Sequence, residues 1–419
     1  MARPNETVIR YRIPKLHDGG RVVFVHPARF KFLAAGRRWR KTTLAMRVAL
    51  STASRGLQVV WGAPVYKQCA VGWEECYKAA GGVADFRKSE MRIVCPPHDG
   101  TISFVSLDNP DTARGKTADL VIVDEAGFVQ EIAWYQVLRP MLSDTNGAAL
   151  IMGTPKGRNW FWREHMGAKD RADSVSWQVP TLGVAIQDGR LIRQPHPLEN
   201  PDFEFGEAER MFQSMPQRTF EQEFLAAFVD DAGAVFRNVL AVSTAQPLSV
   251  PEQGHHYIVG LDWAKSYDWT VASVIDATTK RQVALDRFNR VDYGFQLGRV
   301  KALCERWQPQ AVWAETNAMG EPLVDALRRE GLPMRGFTTS ATSKQAIIES
   351  LALAIEKGAV MLLDNETQKA ELQAYDMQRL PGGGYRYGAP DGIHDDTVMA
   401  LAIAWQGVSL PSRPIFRAV

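Results

Sequence analysis

Leu120-Val121-Ile122-Val123, followed at once by Asp124-Glu125-Ala126, restricts the possible folds of this chain more than any other stretch. Four consecutive apolar residues leave a strand no polar face, so it must be covered on both sides. That calls for a mostly parallel sheet with crossover helices on each face. Two carboxylates at the strand's C-terminal end then stand at the edge where sheets of this kind bind ligands. Phe30 to Leu33, Leu57 to Ala63, the alternating Thr101 to Leu107, and Ala148 to Met152 supply further strands of the same sheet.

The first of these strands runs into Ala34-Ala35-Gly36-Arg37-Arg38-Trp39-Arg40-Lys41-Thr42-Thr43, and Thr42 to Leu50 reads as a helix. A strand, a loop and a helix starting at Lys-Thr form a phosphate cradle: backbone N–H groups and the helix dipole hold the phosphates, Lys neutralises them, and the hydroxyl holds Mg²⁺. The usual glycines are replaced by Ala35 and Arg40, and a basic helix start on a protein surface would read the same way. Downstream, Asp124 is suited to hold Mg²⁺ and Glu125 to orient or deprotonate an attacking water. Paired acids after an apolar strand also serve as helix N-caps, but together with Lys41-Thr42 they favour ATP hydrolysis. Tyr66 and Gln68 sit where a βα loop reaches a ligand, or in an exposed loop. Gly153-Thr154-Pro155 ends another strand beside this site; it is either a simple turn or similar to the coupling motif of helicase-like motors, which senses the γ-phosphate.

Gln187 to Pro201 is polar and proline-rich and reads as a loop or lid. Gly206 to Phe228 reads as helical, anchored by Phe212, Met215, Phe220 and Phe224. The expected organisation is an ATPase domain over residues 1–229 with a lid segment around 180–228, a linker over 230–254, and a second domain over 255–419. There Tyr257 to Asp262, Thr270 to Ile275 and Gln282 to Arg287 form an antiparallel meander. Helical Phe295 to Trp307 follows, then a strand ending at Glu315, a strand over Met334 to Thr338, and helices over Ser343 to Lys357 and Glu366 to Gln378. Pro381 to Tyr387 reads as a hairpin tip, and His394-Asp395-Asp396 opens an apolar helix. Acids at two strand ends and one helix start, in this order, are the arrangement an RNase H-like nuclease uses to bind two Mg²⁺ or Mn²⁺ ions. Singly, Asp262 also reads as a turn former, Glu315 as a surface acid and Asp395-Asp396 as an N-cap; Asp268 is either a further ligand or a turn residue.

At 419 residues the chain exceeds one ordinary core. A net charge of +2 leaves nucleic-acid contact to local patches. Cys69, Cys76, Cys95 and Cys304 have no zinc spacing and read as thiols in a reducing compartment. No apolar run approaches bilayer length, and Met1 to Tyr11 lacks a signal-peptide core, so a soluble intracellular protein is expected.

The set Gly36-Arg37-Arg38-Trp39, Lys41-Thr42, Val123-Asp124-Glu125-Ala126 and Gly153-Thr154-Pro155, joined to Asp262, Glu315 and His394-Asp395-Asp396, resembles the large terminase subunit of tailed bacteriophages. The resemblance covers nearly the whole chain and rests on the order and spacing of the motifs. It implies an α/β chain with an N-terminal P-loop ATPase domain of ASCE type and a C-terminal RNase H-like (RuvC-like) nuclease domain with a mixed sheet. Such a protein drives double-stranded DNA into a procapsid using ATP and cuts concatemers at the start and end of packaging. By the same resemblance it forms a ring, a pentamer, on the portal, works with a small terminase subunit in the host cytoplasm, and touches no membrane. Arg37 or Arg38 would act in cis, and Arg114 or Arg139 as an arginine finger toward a neighbouring subunit. Tyr385, Arg386 and Lys344 are candidates for DNA contact through stacking and phosphate neutralisation. A helicase–nuclease of repair or transposition, or a non-catalytic DNA-binding scaffold, are the alternatives.

Overall fold

The computed structural model describes residues 11–229, 235–263, 269–289, 291–317, 320–380, 384–390 and 394–410. The chain falls into two compact units, residues 1–231 and, apart from 381–384, residues 232–419.

The first unit is built on eight strands: β1 (Phe30–Ala35), β2 (Gln58–Ala63), β3 (Asp85–Arg87), β4 (Arg92–Cys95), β5 (Gly100–Ser106), β6 (Leu120–Val123), β7 (Ala148–Gly153) and β8 (Ser174–Val179). Their order is β3-β4-β5-β2-β6-β7-β1-β8. The six strands from β5 to β8 in this order are parallel, and near one edge β4 pairs antiparallel with both β5 and β3. The apolar run of β6 explains the layering. Leu120 and Ile122 enter one core, Val121 and Val123 the other, and all four are buried. In β1 Leu33 and Ala35 face the first core, Phe32 and Ala34 the second. Covering each large aliphatic side chain is worth roughly 1.5–3 kcal/mol, so exposing either face would forfeit much of the unit's stability.

β7 lies between β1 and β6. The C-terminal ends of these three neighbours therefore deliver the loop after Ala35, the acids after Val123 and Thr154 to one edge. Gly153 permits the approach, since a Cβ there would stand 2.9 Å from the Ala126 nitrogen. After β8 the chain forms a hairpin (Val184–Gln187 with Arg190–Arg193) and two helices, Phe205–Ser214 and Gln217–Phe224. The single helix expected over 206–228 is thus broken, because Pro216 has no N–H to continue the ladder and instead opens the next helix. Part of the polar stretch expected as loop is strand, held by Leu182 and Leu191 against Phe212, Phe220 and Phe224.

The second unit carries a five-stranded sheet: β9 (Tyr257–Asp262), β10 (Trp269–Asp276), β11 (Arg281–Asn289), β12 (Ala311–Glu315) and β13 (Met334–Phe337), in the order β11-β10-β9-β12-β13. The first three form the expected antiparallel meander, and β12 and β13 add in parallel. Val259 and Leu261 face the core shared with Val300, Trp307 and Val324. The opposite face of β9 takes the helix Asp396–Ser409 at very short range. A Cβ on Gly260 would overlap the Ala400 carbonyl oxygen and fall 2.9 Å from Ala404 Cα, and one on Gly407 would stand 2.6 Å from the Trp313 ring. Within the stretch 230–254 expected as linker, Phe236, Val239 and Val242 are buried in this unit, and Ser243–Ala245 pairs with Leu362–Leu363. The helix expected over 366–378 ends at Ala374, and Asp376–Leu380 pairs with Gly384–Gly388 instead. No helix among the described residues is long and apolar enough to cross a membrane. The four cysteines are buried free thiols.

Candidate active sites

The loop between β1 and the helix Lys41–Ala53 turns tightly although Arg40 stands where the phosphate-loop pattern has a glycine. Arg40, at the helix N-cap, has φ 72° and ψ 35°, and Arg38 has φ 66°. This left-handed region costs an L-residue roughly 1–2 kcal/mol. Neighbouring groups hold the loop in place. Asn200 Nδ2 donates to the Arg38 carbonyl at 2.8 Å, the Thr181 hydroxyl donates to that of Arg37, and the buried Trp39 indole donates to the Leu198 carbonyl at 2.7 Å. Gly36 is packed too closely for any side chain, since a Cβ would lie 2.5 Å from the Phe224 carbonyl oxygen.

Lys41 is buried, and its ammonium donates to the carbonyls of Ala35 (2.9 Å) and Gly36 (3.1 Å) and to Thr154 Oγ1 (3.2 Å). Burial lowers its pKa, opposed by the charges of Glu125, Asp124 and Glu223. Asp124 is buried as well. Burial and then Glu125 push its carboxyl up to about 7, with Lys41 pulling the other way. Glu125 has φ 52°, a strained conformation of the kind concentrated at functional sites. Thr154 and Lys41 thus tie the Gly-Thr-Pro strand end to the loop. The adjoining Lys156 pairs with buried Glu223, which also pairs with Arg37 at 2.5 Å. Burial works to raise the Glu223 carboxyl, but Lys156 and Arg37 hold it below its ordinary value. Arg40 pairs with Asp202 at 3.0 Å. Two of the three loop arginines are therefore engaged by acids of the 180–228 segment.

In the second unit, Asp262 and Glu315 follow the register partners Leu261 and Ala314 on adjacent parallel strands. Close packing at Gly260 brings the N-terminus of the helix Asp396–Ser409 beside them. Burial, then the charges of Glu315, Asp396 and Asp395, push Asp262 well above the usual carboxylate range. Four converging carboxylates are hard oxygen donors suited to Mg²⁺ or Mn²⁺. Lys344 Nζ lies 3.4 Å from Asp395 Oδ2, so this lysine belongs to the acid cluster itself. His394 Nδ1 lies 3.6 Å from Asp396 Oδ2.

The remaining candidates are dispersed. Tyr66 and Gln68 stand in the first turn of a helix, Tyr66–Ala80, at the C-terminal end of β2 rather than in a free loop. Thr42 and Thr43 lie in the first turn of the loop helix. Arg114 pairs with Asp111 on the connection between β5 and β6. Arg139 stacks over Phe30 at 5.8 Å, at the opposite end of β1 from the loop. Arg386 is exposed on its strand, while Asp268 and the side chain of Tyr385 lie outside the described residues. Glu223, Asp202, Thr181 and Asn200 also hold the loop and are unmarked in the sequence. They approach the loop only through tertiary packing, and Glu223 sits among helical polar residues with no distinguishing spacing.

Residues 259–406 match the family model described as the terminase RNaseH-like domain. The large terminase subunit of Thermus virus P23-45 is 31% identical over 336 residues, covering 72% of this chain and 64% of that protein. The large terminase subunit of Escherichia phage T5 is 24% identical over 226 residues, 52% of this chain and 48% of its own length. This chain therefore spans less than two thirds of the length of either relative. Among solved structures, the large terminase of thermophilic bacteriophage D6E aligns with a TM-score of 0.60 at 12% identity, over 93% of this chain and 98% of that one, a likeness of fold.

Proposed function

We propose that this chain, which belongs to the large terminase family, is a viral DNA-packaging motor subunit, an ATPase joined to a metal-dependent DNA endonuclease. The observation that carries this reading is the presence in one chain of two separate acid sites: Asp124-Glu125 facing buried Lys41, and Asp262, Glu315, Asp395 and Asp396 converging in the second unit.

In the first site the loop N–H groups and Lys41 bind the triphosphate of ATP, and Thr42 with Asp124 would hold Mg²⁺. Glu125 orients the attacking water and accepts its proton. Thr154, bonded to Lys41, registers whether that ammonium is engaged by phosphate. Arg37 or Arg38 serves in cis, and Arg114 or Arg139 reaches a neighbouring subunit in a ring of five. In the second site Asp262, Glu315, Asp395 and Asp396 would hold two Mg²⁺ or Mn²⁺ ions. The bound ions supply Lewis acidity for attack of water on the phosphodiester and departure of the 3′ oxygen. The carboxylates fix the metal positions, and Arg386 contributes positive charge toward the DNA backbone. The working partners are double-stranded DNA, the portal of a procapsid and a small terminase subunit in the host cytoplasm. An RNase H-like second unit disfavours a helicase with two ATP-binding lobes.

Phosphate release from ATP and Mn²⁺-dependent cutting of duplex DNA, both measured on one purified full chain, test this reading. Both activities are expected. An absence of ATP turnover with DNA present would remove the motor.

A further inference from the structure

We infer that Glu371 is a positioning residue of the nuclease site, capping the acid-bearing helix from outside so that the Asp395 carboxylate is not spent on that cap. This rests on the nuclease reading above.

An aspartate at a helix N-cap ordinarily spends its carboxylate on the first free N–H groups of its own helix. Asp395 occupies the N-cap of the helix Asp396–Ser409 and makes no such bond. One of the free N–H groups of the first turn, that of Thr397, is met instead by Glu371, in the helix Glu366–Ala374. Its Oε2 accepts from the Thr397 backbone N at 2.9 Å and from the Thr397 hydroxyl. Glu371 and Thr397 are both buried, so a water cannot easily replace this bond. The charge is also placed where the helix dipole favours an anion.

A fifth carboxylate beside four acids would ordinarily worsen their mutual repulsion. Here it is balanced, because Arg287 Nη2 donates to the other oxygen at 3.3 Å and its guanidinium lies 3.9 Å from the centroid of the Trp269 ring. The capping helix is itself fixed. Asn365 caps its start at 3.0 Å, and buried Gln368 and Gln282 bond to each other through their amides at 2.8 Å. The result is a rigid strut running from β11 through Glu371 to the first turn that carries the metal-binding acids. Groups that orient ligands are worth roughly 10–100-fold in metal affinity or activity.

The test uses the full chain and reads Mn²⁺ affinity by calorimetry, the Mn²⁺ concentration for half-maximal cleavage, and the maximal rate. For Glu371→Ala, Mn²⁺ affinity falls and the half-maximal concentration rises by roughly 10–100-fold, while ATP hydrolysis stays at the wild-type rate. Glu371→Gln keeps an amide oxygen for Thr397 and shows a smaller shift in the same direction. A folded Glu371→Ala variant with wild-type Mn²⁺ affinity overturns the proposal, even if its maximal rate falls, since that would mark a purely structural role. Should the alanine variant not fold, unchanged Mn²⁺ affinity in Glu371→Gln overturns it equally. Wild-type protein that neither binds Mn²⁺ nor cuts DNA would overturn the nuclease reading as well; wild-type protein that does both, matched by its variants, overturns this inference alone.

Discussion

The two acid sites of this chain are built in opposite ways. The first site relies on strained backbone, with Arg38 and Arg40 in the loop and Glu125 after β6 all at positive φ, and on clamps from a distant segment that hold the loop there. It also contains its own countercharge, Lys41, set against Asp124 and Glu125. The proposed nuclease site uses the ends of regular elements, two strands and a helix, packed closely at glycines. Among the described residues Lys344 reaches Asp395 and His394 reaches Asp396, while burial and then the neighbouring acids push Asp262 up. The loop can therefore tolerate a changed residue if its clamps remain, whereas the acid cluster of the second unit can tolerate little change in packing and, on the proposed function, would be balanced by metal ions.

One methyl group at Gly260 is the change that most strongly separates the two. It would collide with the backbone of the helix bearing Asp395 and Asp396, costing roughly 1–3 kcal/mol. Displacing those acids by even 1 Å would lower cleavage by about 100-fold. Gly260→Ala should therefore abolish most Mn²⁺-dependent cutting while ATP turnover is unchanged; full cleavage would show that helix placement is not what aligns the acids. A smaller effect is expected for Arg40→Gly. It relieves roughly 1–2 kcal/mol of left-handed strain and gives up an exposed ion pair to Asp202 worth about 0–1 kcal/mol. The melting temperature should hold or rise, with ATP affinity kept. Loss of ATP binding would assign the Arg40 side chain to the nucleotide rather than to Asp202.

The smallest effect is a pH dependence in chelated, metal-free buffer. Asp124 ionises near 4 in the unfolded chain but only at about 7 in the fold, where burial is the first cause. Its contribution to stability is therefore fully present below pH of about 4 and is lost as the pH rises toward 7. Asp124→Asn lacks this loss, so its melting temperature relative to wild type should climb between those limits. A difference that stays flat would mean that the carboxyl is not held protonated.

These contrasts also explain how much could be read from the sequence. β6 was legible because four apolar residues in a row have a single structural solution, and the four acids of the second unit could be placed together because two end strands and two open a helix. Asp395-Asp396 read equally well as a helix cap, and the fold adds that the Asp395 side chain makes no cap bond while the Thr397 N–H goes to Glu371. The strained loop was harder. Arg40 breaks the sequence pattern while keeping glycine's backbone geometry, and the clamps that permit this, Thr181 and Asn200, lie far along the chain. The short strands β3 and β4 leave no signal because segments of three and four residues carry too little alternation. Break points such as Pro216 sat inside otherwise helical periodicity.

If the two sites are independent, each should fail alone. ATP hydrolysis and Mn²⁺-dependent DNA cleavage should be measured side by side on Glu125→Ala and Asp262→Ala in the full chain. Glu125→Ala should lose ATP turnover and keep cleavage, and Asp262→Ala should lose cleavage and keep ATP turnover. Loss of both activities in either folded variant, or of neither, would contradict the division of labour drawn here.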